Sequence, residues 1–250
     1  MITQIKKVSE ISNMKTAGGM LATVLGQLKH SIEPGMSTKH IANMAARELK
    51  SLGGKPSFLG YYGFPDVICI SINDEIIHGI PSADKIVQLG DIISLDFGVT
   101  YHGMVTDSAI SFIIGPGRSS DSLLVSKTEA ALNAAIDILK PGIKVGDISS
   151  TVQGVLERAG LGIVKEYVGH GVGHELHEEP NIPNYGVKGE GPILAENMTI
   201  AIEPMATLGT DKTVVDQDGW TVRTKDGSRA AHFEHTVLIT SKGGQIITQI

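Results

Sequence analysis

At 250 residues the chain sits near the upper end of what one hydrophobic core covers, which favours a single domain, 1–250, over two. With 41% hydrophobic and 19% charged residues and a net charge of −6 it has globular composition and no broad basic footprint, so nucleic-acid binding is disfavoured. Cys69, the one cysteine, excludes an intrachain disulfide, and the N-terminal residues show no signal-type apolar stretch and the chain no run of about 18 apolar residues; a soluble, cytoplasmic protein without a membrane span is expected.

Taken in chain order, helices are predicted over 9–31, ending near Pro34-Gly35, and over 38–52, closed by Gly53. Ile41, Met44, Ala45 and Leu49 mark the buried stripe of the second. β-rich segments follow at 67–73, 76–80, 92–99 and 104–114. The order then repeats. Helices at 121–139, ending near Pro141-Gly142, and 145–159 precede β-rich segments at 163–170, 198–203, 221–225 and 229–240. One offset, 107, carries Pro34-Gly35-Met36 onto Pro141-Gly142-Ile143, Thr38 onto Val145, Ile41 onto Ile148, Leu49 onto Leu156 and Gly53 onto Gly160. An α+β fold follows, of two α-α-β halves spanning about 9–114 and 121–240, whose sheets join into one layer with the helices on one face.

The same offset carries Asp96 onto Glu203. Asp96 in "DIISLDFGV" and Asp107 in "MVTDSAISF" flank the turn 100–103. With that turn centred between Tyr101 and His102, residues whose numbers sum to 203 face each other, and the two carboxylates become direct cross-strand partners roughly 5 Å apart. Like charges so placed destabilise a hairpin, so the pair calls for a cation, a shared proton or another compensator. In the second half Glu203 ends "MTIAIE", and Glu234 sits in "AAHFEHTVLIT", a β-branched run where a charge is costly unless compensated. Four inward carboxylates and one imidazole match two divalent ions about 3.5 to 4 Å apart, bridged by carboxylates and a water. An oxygen-dominated donor set favours manganese, iron(II) or cobalt, leaves zinc open and excludes a thiolate site.

"GHGVGHELHEEP", residues 169–180, is dense in potential donors. His174-Glu175-Leu176-His177 falls one residue short of the H-E-x-x-H spacing of a zinc-protease helix, and Gly169, Gly171 and Gly173 suit an extended backbone that approaches something closely. In an extended chain His170 and His177, seven apart, point to opposite faces unless the chain bends between them.

"HGIP" at 78–81, Asp96, Asp107, "GHGVGHELHEEP", "AIEP" at 201–204 and "FEHT" at 233–236 together resemble the methionine aminopeptidases, in the family that also holds aminopeptidase P and prolidase. The likeness spans nearly the whole chain. It implies the "pita-bread" α+β fold, with one curved, mostly antiparallel sheet. It implies Asp96, Asp107, His170, Glu203 and Glu234 as ligands of two divalent ions, Glu203 also as general base, and His78 and His177 as catalytic residues in contact with substrate. Tyr61, Phe64, Cys69 and Trp220, with Leu176 at the edge, resemble the family's pocket for a methionine side chain, and a soft, polarisable lining suits a thioether. The implied activity is removal of the N-terminal methionine from peptides and nascent chains when the second residue is small, by a monomer, with ribosome association as an option.

Spacing narrows the resemblance. The few residues before the first helix leave no room for the extra N-terminal domain usual in prolidase and aminopeptidase P. The 26 positions from His177 to Glu203 leave none for the type II insertion, and one cysteine excludes a zinc-finger extension. A bacterial-style type I enzyme is expected. Two alternatives stand beside it, an X-Pro-specific peptidase of the same family and a catalytically inactive peptide-binding member; the latter would have lost ligands, and all five are present. The chain departs from the family's pattern at His174, where G-H-G-x-G-R is common, and at His232, where glutamine commonly precedes F-E-H-T; neither is expected to bind metal.

Overall fold

The computed structural model describes residues 5–249; residues 1–4, where the N-terminal stretch read for a leader begins, and residue 250 lie outside the described residues. Helices α1 (Val8–Ser31), α2 (Thr38–Leu52), α3 (Ser119–Asp137) and α4 (Val145–Arg158) form within two residues of their expected bounds. Their ends are fixed locally. The Ser37 side chain accepts the His40 N–H at 3.2 Å, and Gly53 closes α2 at φ 84°, a left-handed conformation natural to glycine. The repeat extends to individual hydrogen bonds: Gly35 N–H donates to Val87 O at 2.8 Å and, 107 residues on, Gly142 N–H donates to Leu194 O at 2.8 Å.

Strands β1 (Lys55–Pro56), β2 (Cys69–Ile72), β3 (Glu75–Ile77), β4 (Ile92–Tyr101) and β5 (Met104–Ile113) follow α2. After α4 come β6 (Gly162–Ile163), β7 (Gly169–Gly171), β8 (Glu178–Ile182), β9 (Thr199–Ile202), β10 (Met205–Thr207), β11 (Thr213–Val215), β12 (Val222–Thr224), β13 (Ala230–His232), β14 (Glu234–Thr240) and β15 (Gly243–Ile246). Nine of them make one antiparallel sheet in the order β1-β4-β5-β14-β9-β7-β8, with β2 on β4 and β15 on β14. The two halves meet at β5 and β14, where Ser108 faces His235.

The nine-stranded sheet is the expected single curved layer joining both halves, and two small three-stranded sheets, β13-β10-β6 and β11-β12-β3, accompany it. The segment 163–170 splits into β6 and β7 around the exposed Lys165 and Glu166, and 229–240 splits at Phe233 into β13 and β14. Pro204 breaks the chain between β9 and β10 because it has no N–H for a ladder, and Phe233 N–H donates to Pro204 O instead of continuing a strand.

Each helical pair covers its own half of the sheet. Leu21, Leu25, Ile41 and Leu49 pack against Ile70, Leu95 and Phe97, while Leu132, Ile148 and Leu156 pack against Ile200, Val237 and Ile239. Along β4 the alternation of a strand sends Ile93, Leu95, Phe97 and Val99 to the helices, so Ser94, Asp96 and Gly98 face the other way. The charges lie on the face the helices leave open. No helix among the described residues is long and apolar enough to cross a membrane.

Gly169 and Gly173 sit at close approaches that a side chain would block. A Cβ on Gly169 would lie 2.4 Å from Ala201 O on β9. Gly169→Ala is therefore expected to destabilise the chain by about 1–3 kcal/mol through overpacking. Urea unfolding measures this, and a midpoint equal to the parent's would show that β7 does not need the approach.

Candidate active site

The β4–β5 hairpin runs from Ile92↔Ile113 to Tyr101↔Met104, so its turn is His102-Gly103, at φ 47° and 79°. Both residues take the positive φ that a two-residue type I′ turn requires, and only the glycine does so freely. This corrects the expected register: Asp96 faces Ala109, and Asp107 faces Gly98. Facing numbers sum to 205 instead of 203, an even shift, so both acids remain on one face as diagonal neighbours. Their carboxyls still lie within hydrogen-bonding reach of each other.

The remaining elements bring their donors to the same place. Thr236 Oγ1 donates to Asp107 O at 2.7 Å and accepts Asp107 N–H at 2.9 Å, while Ser108 Oγ donates to Glu234 O at 2.6 Å. These bonds lock β5 to β14 beside Asp107 and Glu234. Glu203 follows β9, where Asn184 Nδ2–H donates to its carbonyl at 3.0 Å. His170 on β7 faces Ala201 and reaches Glu203 Oε1 at 3.4 Å through Nε2. Its Nδ1 lies 2.9 Å from Gly171 O; a carbonyl only accepts, so Nδ1 carries the proton. Burial presses the pKa of His170 down to about 3, with the neighbouring His177 adding to it. The ring is therefore neutral at pH 7, and its Nε2 lone pair is free to coordinate.

One donor atom each from Asp107, His170 and Glu234 lie within 4.8 Å of one another. Asp96 Oδ1, Asp107 Oδ1 and Glu234 Oε1 are buried without a hydrogen-bond partner. Burial first, and the neighbouring acids next, push the carboxyls of Asp96, Glu203 and Glu234 well above the usual range; burial raises Asp107 to about 7. Orphaned buried carboxylate oxygens are costly, and a divalent cation supplies the positive charge they lack. Oxygen donors with a single imidazole fit such an ion well.

His170 and His177 do not point apart. The chain bends between them: Gly171 pairs with Glu178, closing a hairpin that brings the two rings to 4.2 Å between centroids. His177 Nδ1 lies 2.8 Å from the Tyr61 hydroxyl. His174 leaves the site and lies 3.2 Å from Glu10 Oε1 on α1, while Glu178 meets Lys6 Nζ at 2.6 Å, so the loop is tied to the N-terminal helix.

A cavity of about 250 Å³ unites these groups. Asp96, Asp107, Glu203, Glu234 and His170 line it together with Tyr61, Phe64, Cys69, Leu176 and Trp220, and His78 and His177 complete the wall. Every site residue read from the sequence therefore reaches one cavity. Cys69 stands directly across from Asp96 in the β2–β4 ladder, which sets the apolar wall one strand, about 4.8 Å, from the acids. Phe64 and Trp220 meet edge to face at 5.2 Å, and Trp220 also meets His78 at 6.2 Å. Burial lowers His78 to about 4, and partial loss of hydration at the cavity wall, where the residue stays open to solvent, lowers His177 as well, so both rings are neutral at pH 7. Phe58 and Tyr62 also line the cavity and were not singled out in the sequence. The glycine-flanked "GYYG" was the available signal for Tyr62, whose φ is 46°; Phe58 carries none.

Residues 12–241 match the model of metallopeptidase family M24. The methionine aminopeptidase of Aquifex aeolicus is 44% identical, with 100% of both chains covered, and methionine aminopeptidase 1 of Bacillus subtilis is 42% identical, with 98% of each covered. The crystal structure of the Thermotoga maritima methionine aminopeptidase superposes with a TM-score of 0.98 at 44% identity over 100% of both chains. Prolidase from Pyrococcus furiosus, 23% identical, shares the fold at a TM-score of 0.80, over 98% of this chain and 65% of its own. The architecture is thus the pita-bread fold, and family membership implies the use of divalent metal. The chain belongs to metallopeptidase family M24 and, within it, to the methionine aminopeptidases.

Proposed function

We propose that the chain releases the N-terminal methionine of peptides and nascent chains whose second residue is small, using two divalent ions, manganese, iron(II), cobalt or zinc. The ions would be held by Asp96, Asp107, His170, Glu203 and Glu234. The observation that carries this reading is the set of buried, partnerless oxygens on Asp96, Asp107 and Glu234 lining a cavity that also has an apolar wall.

Held by these residues, the two ions would supply a water of lowered pKa and a polarised substrate carbonyl. Glu203, whose carboxylate lies beside His170, takes the proton from the attacking water and returns it to the leaving amine. His177 donates a hydrogen bond to the substrate carbonyl oxygen, where negative charge grows during attack. His78, packed against Trp220, contacts the substrate from the pocket wall. Tyr61, Phe64, Cys69, Leu176 and Trp220 receive the methionine side chain, and burial keeps the Cys69 thiol protonated and apolar in character. The substrate's free amino terminus would bind at the metal, which restricts cleavage to the first residue. Nascent chains are the natural source of such termini, so the reading carries with it a cytoplasmic location and encounter near the ribosome; a monomer suffices for it, since every proposed site residue comes from one chain.

A peptide panel tests it. Met-Ala, Met-Gly and Met-Ser peptides are expected to release methionine, and Met-Lys, Met-Leu and Met-Phe peptides are expected to resist, as the likeness to the methionine aminopeptidases implies. Comparable rates on Met-Ala and Met-Phe would overturn the selectivity. Preference for X-Pro peptides would replace the reading with that of an X-Pro-specific aminopeptidase or dipeptidase.

A further inference from the structure

We propose that His232 is a positioning residue for Glu203, donating a ring N–H to the carboxylate oxygen that faces away from His170; the role rests on the reading of Glu203 as the base. His232 ends β13, where its backbone is held twice by Ser111: His232 N–H donates to Ser111 Oγ at 2.9 Å, and Ser111 Oγ donates to His232 O at 2.7 Å. The ring is 2% exposed, and neither Nδ1 nor Nε2 has a hydrogen-bond partner. A neutral imidazole always carries one N–H, and a buried donor left unmade costs about 1–3 kcal/mol.

The acceptor on offer is Glu203. His232 Nε2 lies 3.7 Å from Glu203 Oε2, while His170 Nε2 lies 3.4 Å from Oε1 of the same carboxylate. Two imidazoles thus bracket one carboxylate, and they are not equivalent. The His170 proton is committed to Gly171 O, so that ring turns a lone pair towards Glu203. His232 has no such commitment and is free to turn an N–H. At 3.7 Å the contact is longer than a hydrogen bond, and a shift of under 1 Å closes it. Closed, it pins Oε2 and leaves Oε1 as the oxygen on the His170 side. Groups that orient a metal-binding carboxylate from behind in this way typically matter 10- to 100-fold in metal affinity or activity.

The test uses the full chain with His232→Leu and His232→Gln. His232→Leu is expected to lower kcat on a Met-Ala peptide by about 10- to 100-fold at nearly constant KM, and to weaken Mn(II) binding measured by calorimetry. His232→Gln, whose amide N–H can reach the same oxygen, is expected to recover most of both. In the metal-free chain, nitrogen-15 spectra of the histidine rings are expected to show His232 shifting when Glu203→Gln is introduced. Parental kcat and Mn(II) affinity in His232→Leu, or a His232 ring signal that ignores Glu203→Gln, overturns the proposal. If the parent itself releases no methionine, the functional reading fails on its own, and the spectra and calorimetry still decide whether His232 holds Glu203. If His232→Leu does not fold, the glutamine variant and the spectra decide.

Discussion

His177→Ala is expected to keep its metal and lose about 10² to 10³ in kcat, the usual cost of removing one hydrogen-bond donor to a developing oxyanion. His170→Ala is expected to lose metal affinity first and activity as the consequence. The two rings are only 4.2 Å apart, so proximity does not separate them; their partners do. His170 is buried, its Nδ1 proton is fixed on Gly171 O, and its remaining nitrogen belongs to the cluster of donor atoms with Asp107 and Glu234. His177 is exposed at the cavity wall and has Nδ1 against the Tyr61 hydroxyl. When that hydroxyl donates, the proton of His177 sits on Nε2, the nitrogen a substrate carbonyl would meet. His174→Ala should change activity by less than about tenfold, or roughly 1.4 kcal/mol of barrier, because its ring turns to Glu10 instead of the cavity. Metal titration and steady-state kinetics on the three variants decide the matter. Metal release by His177→Ala, with His170→Ala still loaded, would reverse the pair.

The helices and their repeat were legible because their signals are local. Pro34-Gly35 and Pro141-Gly142, Gly53 and Gly160, and the stripe of Ile41, Ala45 and Leu49 each act within a few residues of themselves. The four acids were legible for a different reason, since a carboxylate inside a β-branched run has few cheap explanations. What escaped was decided at longer range. The hairpin register turned on whether Tyr101 or Gly103 would join His102 at positive φ, a contest the flanking alternation does not settle, because either answer keeps Asp96 and Asp107 on one face. The meeting of His170 with His177 required β7 and β8 to pair, and parity along one extended segment says nothing of a return strand. Strands as short as β10, β11 and β15 hold too few residues for a period to show. His232 stands out in the sequence only as a departure from the family's pattern, and its burial beside Glu203 comes from the fold.

Asp107→Asn is expected to push the metal-loaded and metal-free proteins in opposite directions. In the metal-free chain burial raises the Asp107 carboxyl from its usual 3.8 to about 7, because the charged form is the one that burial penalises. A carboxyl raised on folding contributes stability that is fully present below its unfolded value near 3.8 and is lost as pH rises through about 7. The metal-free parent should therefore melt at a lower temperature at pH 8 than at pH 5. Asparagine has no proton to give up, and its amide N–H can donate to the neighbouring Asp96, so the metal-free variant should melt above the metal-free parent at pH 8. Saturating Mn(II) reverses the order. The parent's buried charges, costly alone, are what the ion binds, and a ligand that favours the folded state stabilises it in proportion to the logarithm of its affinity. Replacing one carboxylate by a neutral amide should weaken binding of both ions by about tenfold or more, which is at least 1.4 kcal/mol. Thermal melts with chelator and with Mn(II), at pH 5 and pH 8, separate the two effects. A variant with full metal content and unchanged turnover would remove the case for a two-metal site, whereas a metal-free variant no more stable than the parent at pH 8 would show that the crowded acids are compensated by something other than the ion.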